Sequence, residues 1–323
     1  MSLNRISDKD HIKSLASELG FSKIGFAAAE YDPISHSRFL QWISSGNNGE
    51  MKYLERGPRQ RFDPRIHMDK AQTVIVAAIN YYNPPANDPQ KPYVSIYARG
   101  KNYHAVVKKK LQQLSEAILQ LKGKGDCRCF VDSFPIAEKL YAVKAGLGFW
   151  GRNGNLIIGK SKTNIHQVFR GSFCFLGIII TDILFEPDEP SASTCGKCRK
   201  CIDACPTGAI IGDKIIDSRR CISYQTIENK KKIPEDISKK MGNMIYGCDI
   251  CQTVCPYNSK PIITSEPELQ PILSFPELDE EFYVKMDQMQ AKAKFADSVL
   301  GEITFEQFLR NAEIVSRNLT QAD

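Results

Sequence analysis

Cys195, Cys198, Cys201 and Cys205 stand in the pattern C-x2-C-x2-C-x3-C and are followed by Pro206. That run is the bacterial ferredoxin pattern for a [4Fe–4S] cluster. Cys248, Cys251 and Cys255, followed by Pro256, repeat its last three cysteines and its proline, with Ile245 where a first cysteine would stand. Each cubane takes four thiolates, so one more is needed. Cys221, between the runs in Arg220-Cys221-Ile222-Ser223-Tyr224, is the obvious candidate. Where two such runs occur together, the cysteine before proline ligates the other run's cluster, because the chain crosses between the sites. One cluster is therefore expected on Cys195, Cys198, Cys201 and Cys255, and the second on Cys205, Cys221, Cys248 and Cys251. Thiolates in clustered triplets suit iron–sulfur centres better than disulfides or structural zinc, which takes its four ligands in isolated pairs.

A second candidate group lies upstream. Asp132 follows a short apolar strand, Cys129 to Val131, at the carboxyl end where open α/β sheets place ligands. Flanked by Val131 and Phe134, its carboxyl is expected to keep a raised pKa and to donate a proton near neutrality. The competing reading is an N-cap for a helix after Pro135. Leu147 to Asn155 is a glycine-rich loop whose backbone can approach a flat ligand, although it does not fit G-x-G-x-x-G. Arg56, Arg59, Arg61 and Arg65 surround Asp63-Pro64 and could clamp an anion or pair with surface carboxylates. Cys127, Cys129 and Cys174 have no cluster spacing and read as buried packing.

The elements that must hold these groups are legible in outline. Thr73 to Asn80 is a continuous β-branched apolar run, the mark of a central strand covered on both faces. Lys23 to Ala27, Cys129 to Val131 and Phe173 to Thr181 read as further strands, with helices over Asp10–Leu19, Phe39–Ser44, Ala105–Leu121 and Pro135–Ala145. Strand and helix alternate, which predicts an α/β layered domain. Phe185 to Ser193, rich in proline and acid, reads as a linker into the cysteine region. Helices are expected over Ile233–Lys240, Glu277–Phe295 and Thr304–Leu319, the last two after a proline-rich exit.

In 323 residues with 42% hydrophobic and 25% charged side chains there is room for two domains or so of ordinary soluble composition. No apolar run is long enough to span a bilayer, and the charged stretch Met1–Gly20 is not a secretory signal. Free cysteines and clusters imply a reducing cytoplasm. The net charge of +6 and the runs Lys108–Lys110, Lys230–Lys232 and Lys239–Lys240 are compatible with a nucleic-acid partner, because lysines that neutralise phosphates release counterions. Solvated helix faces would give the same runs.

Taken together, these segments resemble the epoxyqueuosine reductases, cobalamin- and iron–sulfur-dependent enzymes of the tRNA queuosine pathway, from roughly Leu19 to Asn258. The resemblance is carried by Gly49-Glu50-Met51, Arg61-Phe62-Asp63-Pro64-Arg65, Tyr97 to His104, Val131-Asp132-Ser133 with Glu138-Lys139, and Ala145-Gly146-Leu147-Gly148 to Asn153. It continues through Gly171-Ser172, Leu176-Gly177, the first cysteine run, Cys221 to Tyr224 with Thr226-Ile227-Glu228, and Gly247-Cys248-Asp249-Ile250-Cys251. It implies an α+β or α/β fold: a nitroreductase-like cobalamin-binding catalytic domain over 1–185, a ferredoxin-like domain with two [4Fe–4S] clusters over 186–265, and a helical C-terminal segment over 266–323. The family's catalytic aspartate, its proton donor, matches Asp132. Contacts to the corrin map to Arg61, Asp132, Arg152, Leu156, Leu176, Ile179, Ser223 and Asp249. The implied reaction removes the epoxide oxygen of epoxyqueuosine in a tRNA anticodon, with electrons passing through the clusters to reduced cobalt, a nucleophile toward an epoxide carbon. The implied partners are that tRNA and a reduced ferredoxin or flavodoxin-type electron donor, with no membrane, for a chain acting as a cytoplasmic monomer.

The chain departs from the family pattern at Ile178, where an acidic residue is usual, in a longer segment over Ile158–Arg170, and in lacking a basic, glycine-containing tail. Two rival readings remain: within the same cofactor class, a reductase of a small molecule, dehalogenase-like, which would need a closed apolar pocket and no basic surface; and from another class, an iron–sulfur electron carrier without a substrate. The roughly 190 residues before the clusters are far more than a carrier needs. A zinc-binding tRNA module is a third, distinguishable by colour and iron content.

Overall fold

The computed structural model describes residues 7–84, 88–159, 169–272 and 286–321. Helix α1 (Asp8–Glu18) is capped by Ser7, whose side chain accepts from Asp10 N, and it buries Ile12 and Ala16. Strand β1 (Lys23–Ala28) follows. Helix α2 (Pro33–Ser44) starts earlier than the apolar pattern at Phe39 indicates, because Asp32 caps it and Pro33 opens it while none of its residues is fully buried. Then come β2 (Thr73–Asn80), β3 (Tyr93–Val94), α3 (Tyr103–Lys122), β4 (Cys127–Phe130), α4 (Glu138–Lys144), β5 (Phe149–Trp150), β6 (Leu156–Ile157) and β7 (Cys174–Thr181).

The main sheet has the order β1-β2-β7-β4. As expected, β2 is central and buried along its whole length. Its faces are sealed separately. Ile75, Ile79 and Ile179 meet Val107, Leu111, Leu114 and Ile118 of α3 on one side. Val74, Val76, Ile178 and Ile180 meet Leu140, Tyr141 and Leu147 on the other. Each aliphatic side chain removed from water in this way contributes about 1.5–3 kcal/mol. The expected layering is present, but every pairing in this sheet is antiparallel, so it is not built of the parallel crossovers that α/β alternation suggests. Two-faced burial alone produces the continuous apolar run, whichever way the neighbours point.

The cysteine region contains α5 (Lys200–Asp203), β8 (Ile210–Gly212), β9 (Ile215–Ile216), α6 (Ile222–Ile227), α7 (Glu235–Ser238), β10 (Met244–Tyr246) and α8 (Ile250–Thr253). It is interlocked with the layers before it. Strand β10 pairs in parallel with β3, Ser172 donates to Gln252 Oε1 at 2.8 Å, and Asn153 Nδ2 donates to the carbonyl of Cys251 at 3.2 Å. Phe185–Ser193 forms no helix or strand, yet Asp188 within it accepts from Phe26 N and pairs with Lys9.

The last two helices are α9 (Gln288–Phe295) and α10 (Phe305–Thr320), separated by a 3-10 turn at Val299–Glu302. Thr304 and Gln307 form a capping box on α10. Phe295, Leu300, Phe308, Ala312 and Val315 close a third core against Ile245 and Tyr246. The first part of the expected helix Glu277–Phe295 and most of the longer segment Ile158–Arg170 lie outside the described residues. No described helix is long and apolar enough to cross a membrane.

Helix α4 packs so closely on β1 that a Cβ at Gly25 would lie 2.0 Å from the carbonyl oxygen of Ala145. A backbone oxygen cannot move aside as a side chain can. Gly25→Ala is therefore expected to destabilise the fold by about 1–3 kcal/mol in urea titrations.

Candidate active site and cluster sites

All the described cysteines are free thiols. The structure brings Cys195, Cys198, Cys201 and Cys255 around one cavity, whose wall is completed by Arg152, Asn153, Ile157, Pro256 and Tyr257. The other four form a second group: Cys248 feels the charges of Cys221 and Cys205, and Cys251 those of Cys248 and Cys221. Cys251 also feels Cys201, which links the two groups. Among the described residues no three His, Cys, Asp or Glu side chains close on one point as on a single metal ion. Thiols ringed about a wider space suit a cubane better than zinc. Burial pushes the Cys248 thiol up to about 12. Burial acts on Cys205 too, but the Thr207 hydroxyl and the Ala209 N–H outweigh it and hold that thiol below its ordinary value.

The acid group lies at the end of β4. Asp132 has φ 41°, in the left-handed region that a non-glycine residue occupies only when its surroundings hold it there. Its N–H donates to Glu138 Oε1 at 2.7 Å. Helix α4 begins at Glu138 with Ala137 as its uncapped N-terminus, so Asp132 is not the helix cap. Two donors converge on Asp132 Oδ2: the Tyr103 hydroxyl and His104 Nε2, the latter at 3.2 Å. Both come from the first turn of α3, which Asn102 caps. Tyr103 is fixed by stacking on Phe175, with ring centroids 4.0 Å apart and planes 4° from parallel. On its other side, His104 Nδ1 faces Asn102 Oδ1 at 2.9 Å and Glu302 Oε1 at 3.3 Å.

These contacts correct the expected protonation of Asp132. Burial works to raise its pKa, but the hydrogen bonds from His104 and Tyr103 and the charges of His104 and Lys139 outweigh it, so the carboxyl lies below its ordinary value. The side chain is also 58% exposed, which lets water support its charge. The proton instead stands on its neighbours. Burial alone would lower His104, yet the bonds to Asp132 and Glu302 carry it up to about 9. Glu138 is pushed up to about 8, first by burial and then by the charge of Asp132.

Lys139 connects this group to the cysteines. Its Nζ donates to the carbonyl of Gly154 in the glycine-rich loop at 2.9 Å, and its ammonium faces Asp132, Glu138, Cys251 and Cys174. Lys139 is solvent-exposed although protein encloses it, which is the condition of a cleft. Tyr53 and Glu228 also face Asp132 across it. Of the residues expected to touch a cofactor, Arg61 presents a buried Nε without a hydrogen-bond partner, as does Trp150 with its Nε1 beside the glycine-rich loop. Arg152 donates to the carbonyl of Gly196 and pairs with Asp213, and Ser223 is half-buried in α6. Leu156 and Leu176 belong mainly to the core. Ile179 is fully buried between the sheet and α3, and Asp249, 1% exposed, turns its carboxylate onto Tyr93, Ser95 and Ile96 N. Neither offers a side-chain surface to a ligand. Glu302 was not singled out from sequence, for nothing local marks a carboxylate that acts on a helix two hundred positions earlier.

Residues 61–133 match the family described as epoxyqueuosine reductase QueG, DUF1730, and residues 194–258 match the 4Fe-4S double cluster binding domain. The chain is 39% identical over 316 residues to the epoxyqueuosine reductase of Vibrio cholerae, covering 96% of this chain and 83% of that one. It superposes on the epoxyqueuosine reductase of Streptococcus thermophilus with a TM-score of 0.84 and 31% identity, over 96% of this chain and 81% of the other. A crystal structure of an epoxyqueuosine reductase with an epoxyqueuosine-modified tRNA-Tyr stem loop matches with a TM-score of 0.85 and 29% identity, over 97% and 82% of the two chains.

Replacing Cys221 by alanine is expected to lower the iron of the reconstituted protein from about eight to about four per chain. Cys174→Ala, outside both groups, should leave it unchanged. Anaerobic iron and sulfide analysis distinguishes the two outcomes.

Proposed function

Because the chain belongs to the epoxyqueuosine reductase family, we propose that it reduces epoxyqueuosine to queuosine in a tRNA anticodon, with Asp132 delivering the proton. The reaction takes two electrons and two protons, cleaves the epoxide C–O bonds and releases the oxygen as water. The observation that carries this reading is Lys139, whose ammonium interacts with both Asp132 and Cys251. Proton supply and electron supply thus open on one space.

The residues present fit a corrin in that space. Its amide rim would find donors in the unpartnered Arg61 Nε and Trp150 Nε1, and its flat face would lie along the backbone from Arg152 to Leu156 near Leu176 and Ser223. When bound, cobalamin would supply a reduced metal centre for attack at the epoxide carbon, and two [4Fe–4S] clusters on the eight assigned cysteines would supply its electrons singly. The protein's own part is to place and protonate. Asp132 Oδ2 receives Tyr103 and His104, and its side chain stays 58% exposed. An alkoxide forming there is far more basic than a carboxylate, so the proton of His104 moves through Asp132 to the oxygen as the ring opens. Asp132 is then the last carrier of the proton, with His104 and Glu138 as its reservoir.

A modified base must be splayed out of its loop to enter such a cleft. Lys230 faces Glu228, which faces Asp132, so the run Lys230–Lys232 stands near the mouth and suits the tRNA backbone. The run Lys108–Lys110 is less available, since Lys110 pairs with Glu266 at 2.7 Å. The cluster on Cys195, Cys198, Cys201 and Cys255, with exposed Lys197, Arg199 and Lys200 interleaved, suits an acidic ferredoxin or flavodoxin-type donor. A tRNA substrate and unpaired thiols suit a reducing cytoplasm.

Single-turnover assays on epoxyqueuosine-tRNA under anaerobic conditions test this reading. Asp132→Asn should slow ring opening roughly 10²–10⁴-fold while tRNA affinity and iron content stay at wild-type levels. An unchanged rate removes Asp132 from proton delivery. In the wild type the rate should hold near neutrality and fall as the pH rises through about 9, where His104 loses its proton. Binding of the tRNA should weaken steeply with salt, and Lys230→Ala should reduce the salt slope by about one.

A further inference from the structure

We infer that Glu302, supplied by the C-terminal segment, is a positioning residue of the proton-delivery group: with Asp132 it brackets His104 and keeps that imidazole doubly protonated. The inference rests on the proposed reduction but not on its substrate. Both ring nitrogens of His104 face oxygen acceptors: Asp132 Oδ2 at 3.2 Å from Nε2, and Asn102 Oδ1 at 2.9 Å and Glu302 Oε1 at 3.3 Å from Nδ1. A neutral imidazole carries one donor and one acceptor nitrogen, so one of these faces would set lone pair against lone pair. Only the imidazolium satisfies both sides. Asn102 donates its Nδ2 to Glu302 Oε1 at 3.1 Å, which holds the carboxylate against the ring.

The position of Glu302 follows from packing rather than chance. Its 3-10 turn is fastened at several points: Ser298 Oγ donates to the carbonyl of Ala98 at 3.0 Å, the Tyr246 hydroxyl donates to the carbonyl of Val299 at 2.9 Å, and Asn102 N donates to the carbonyl of Asp297 at 2.6 Å. Val299 and Leu300 are buried in the third core. The C-terminal segment therefore completes the site instead of lying beside it. Glu302 is about half exposed, and His104 lies between it and Asp132. After His104 has passed a proton through Asp132 to the substrate oxygen, the imidazole is recharged from water on the Glu302 side, one proton for one.

The charged and titratable groups facing His104 are Asp132 from the loop after β4, Glu302 from the C-terminal turn, Glu138 from α4 and Tyr103 from its own helix, with Lys139 acting on it through Asp132. Removing one of the two carboxylates that touch the ring must lower its proton affinity. A hydrogen bond that merely braced the turn would not.

Diethyl pyrocarbonate, which acylates only neutral imidazole, reads this directly. The protein loaded with its clusters and cobalamin, without tRNA, is treated from about pH 6 to about pH 10, and the His104 peptide is followed by mass spectrometry. The wild type should reach half-maximal reactivity near pH 9. Glu302→Gln should shift that midpoint down by about one unit, and Glu302→Asp should restore most of it. An unshifted midpoint in Glu302→Gln overturns the inference. If that variant fails to retain iron, the wild-type curve still decides, because a midpoint near the ordinary imidazole value of about 6.5 overturns it equally. A shifted midpoint in a protein that does not turn over epoxyqueuosine-tRNA would refute the proposed substrate and leave the role of Glu302 standing.

Discussion

Asp249 is a buried carboxylate between two cluster cysteines, and the working geometry of the chain depends on what it binds. It accepts from the Tyr93 hydroxyl, the Ser95 hydroxyl, Ile96 N and Gln252 Nε2. A buried charge left unpaired would be strongly destabilising, so these donors hold the second cysteine run against the segment that leads into α3. The approach is close enough that a Cβ on Gly247, at φ 71°, would lie 2.5 Å from that of Ser95. With this contact in place, Cys248 and Cys251 stand at a fixed separation from Tyr103 and His104. The cysteine run and the group around Asp132 are thereby held in register by the same few hydrogen bonds.

The sheet imposes a complementary constraint. Sealed on both faces by apolar side chains, it has no room for polar chemistry within the layers, so the polar groups around Asp132 lie outside its strands, on connections and in the first turns of helices. Asp132 leaves β4, Tyr103 and His104 open α3, and Lys139 sits in the first turn of α4. The strained backbone at Asp132 belongs to this pattern, held by its bond to Glu138 and by the donors on its carboxylate.

What could be read in the sequence follows the range of the interactions involved. The cysteines are legible because metal ligation fixes both residue type and spacing, and β2 because burial on both faces leaves an unbroken apolar run. Strand direction is not legible, since the same burial pattern serves parallel and antiparallel neighbours. Asp132 could be located from its place after a strand, but not its protonation, which is set by side chains arriving from α3 and from the C-terminus. At Ile179 and Asp249 the direction of the side chain is not legible. Both sit among residues that match a cofactor-binding family, yet one is core and the other an internal anchor, a distinction that only the direction of the side chain decides.

The bond between Asn102 and Glu302 joins positions 200 residues apart in sequence. During synthesis, therefore, both cysteine runs emerge and can fold against β3 before the last contributor to the proton group has left the ribosome. For that interval the nascent protein can hold its electron path without its proton supply. The order of translation itself separates the assembly of redox centres from the onset of a complete catalytic site.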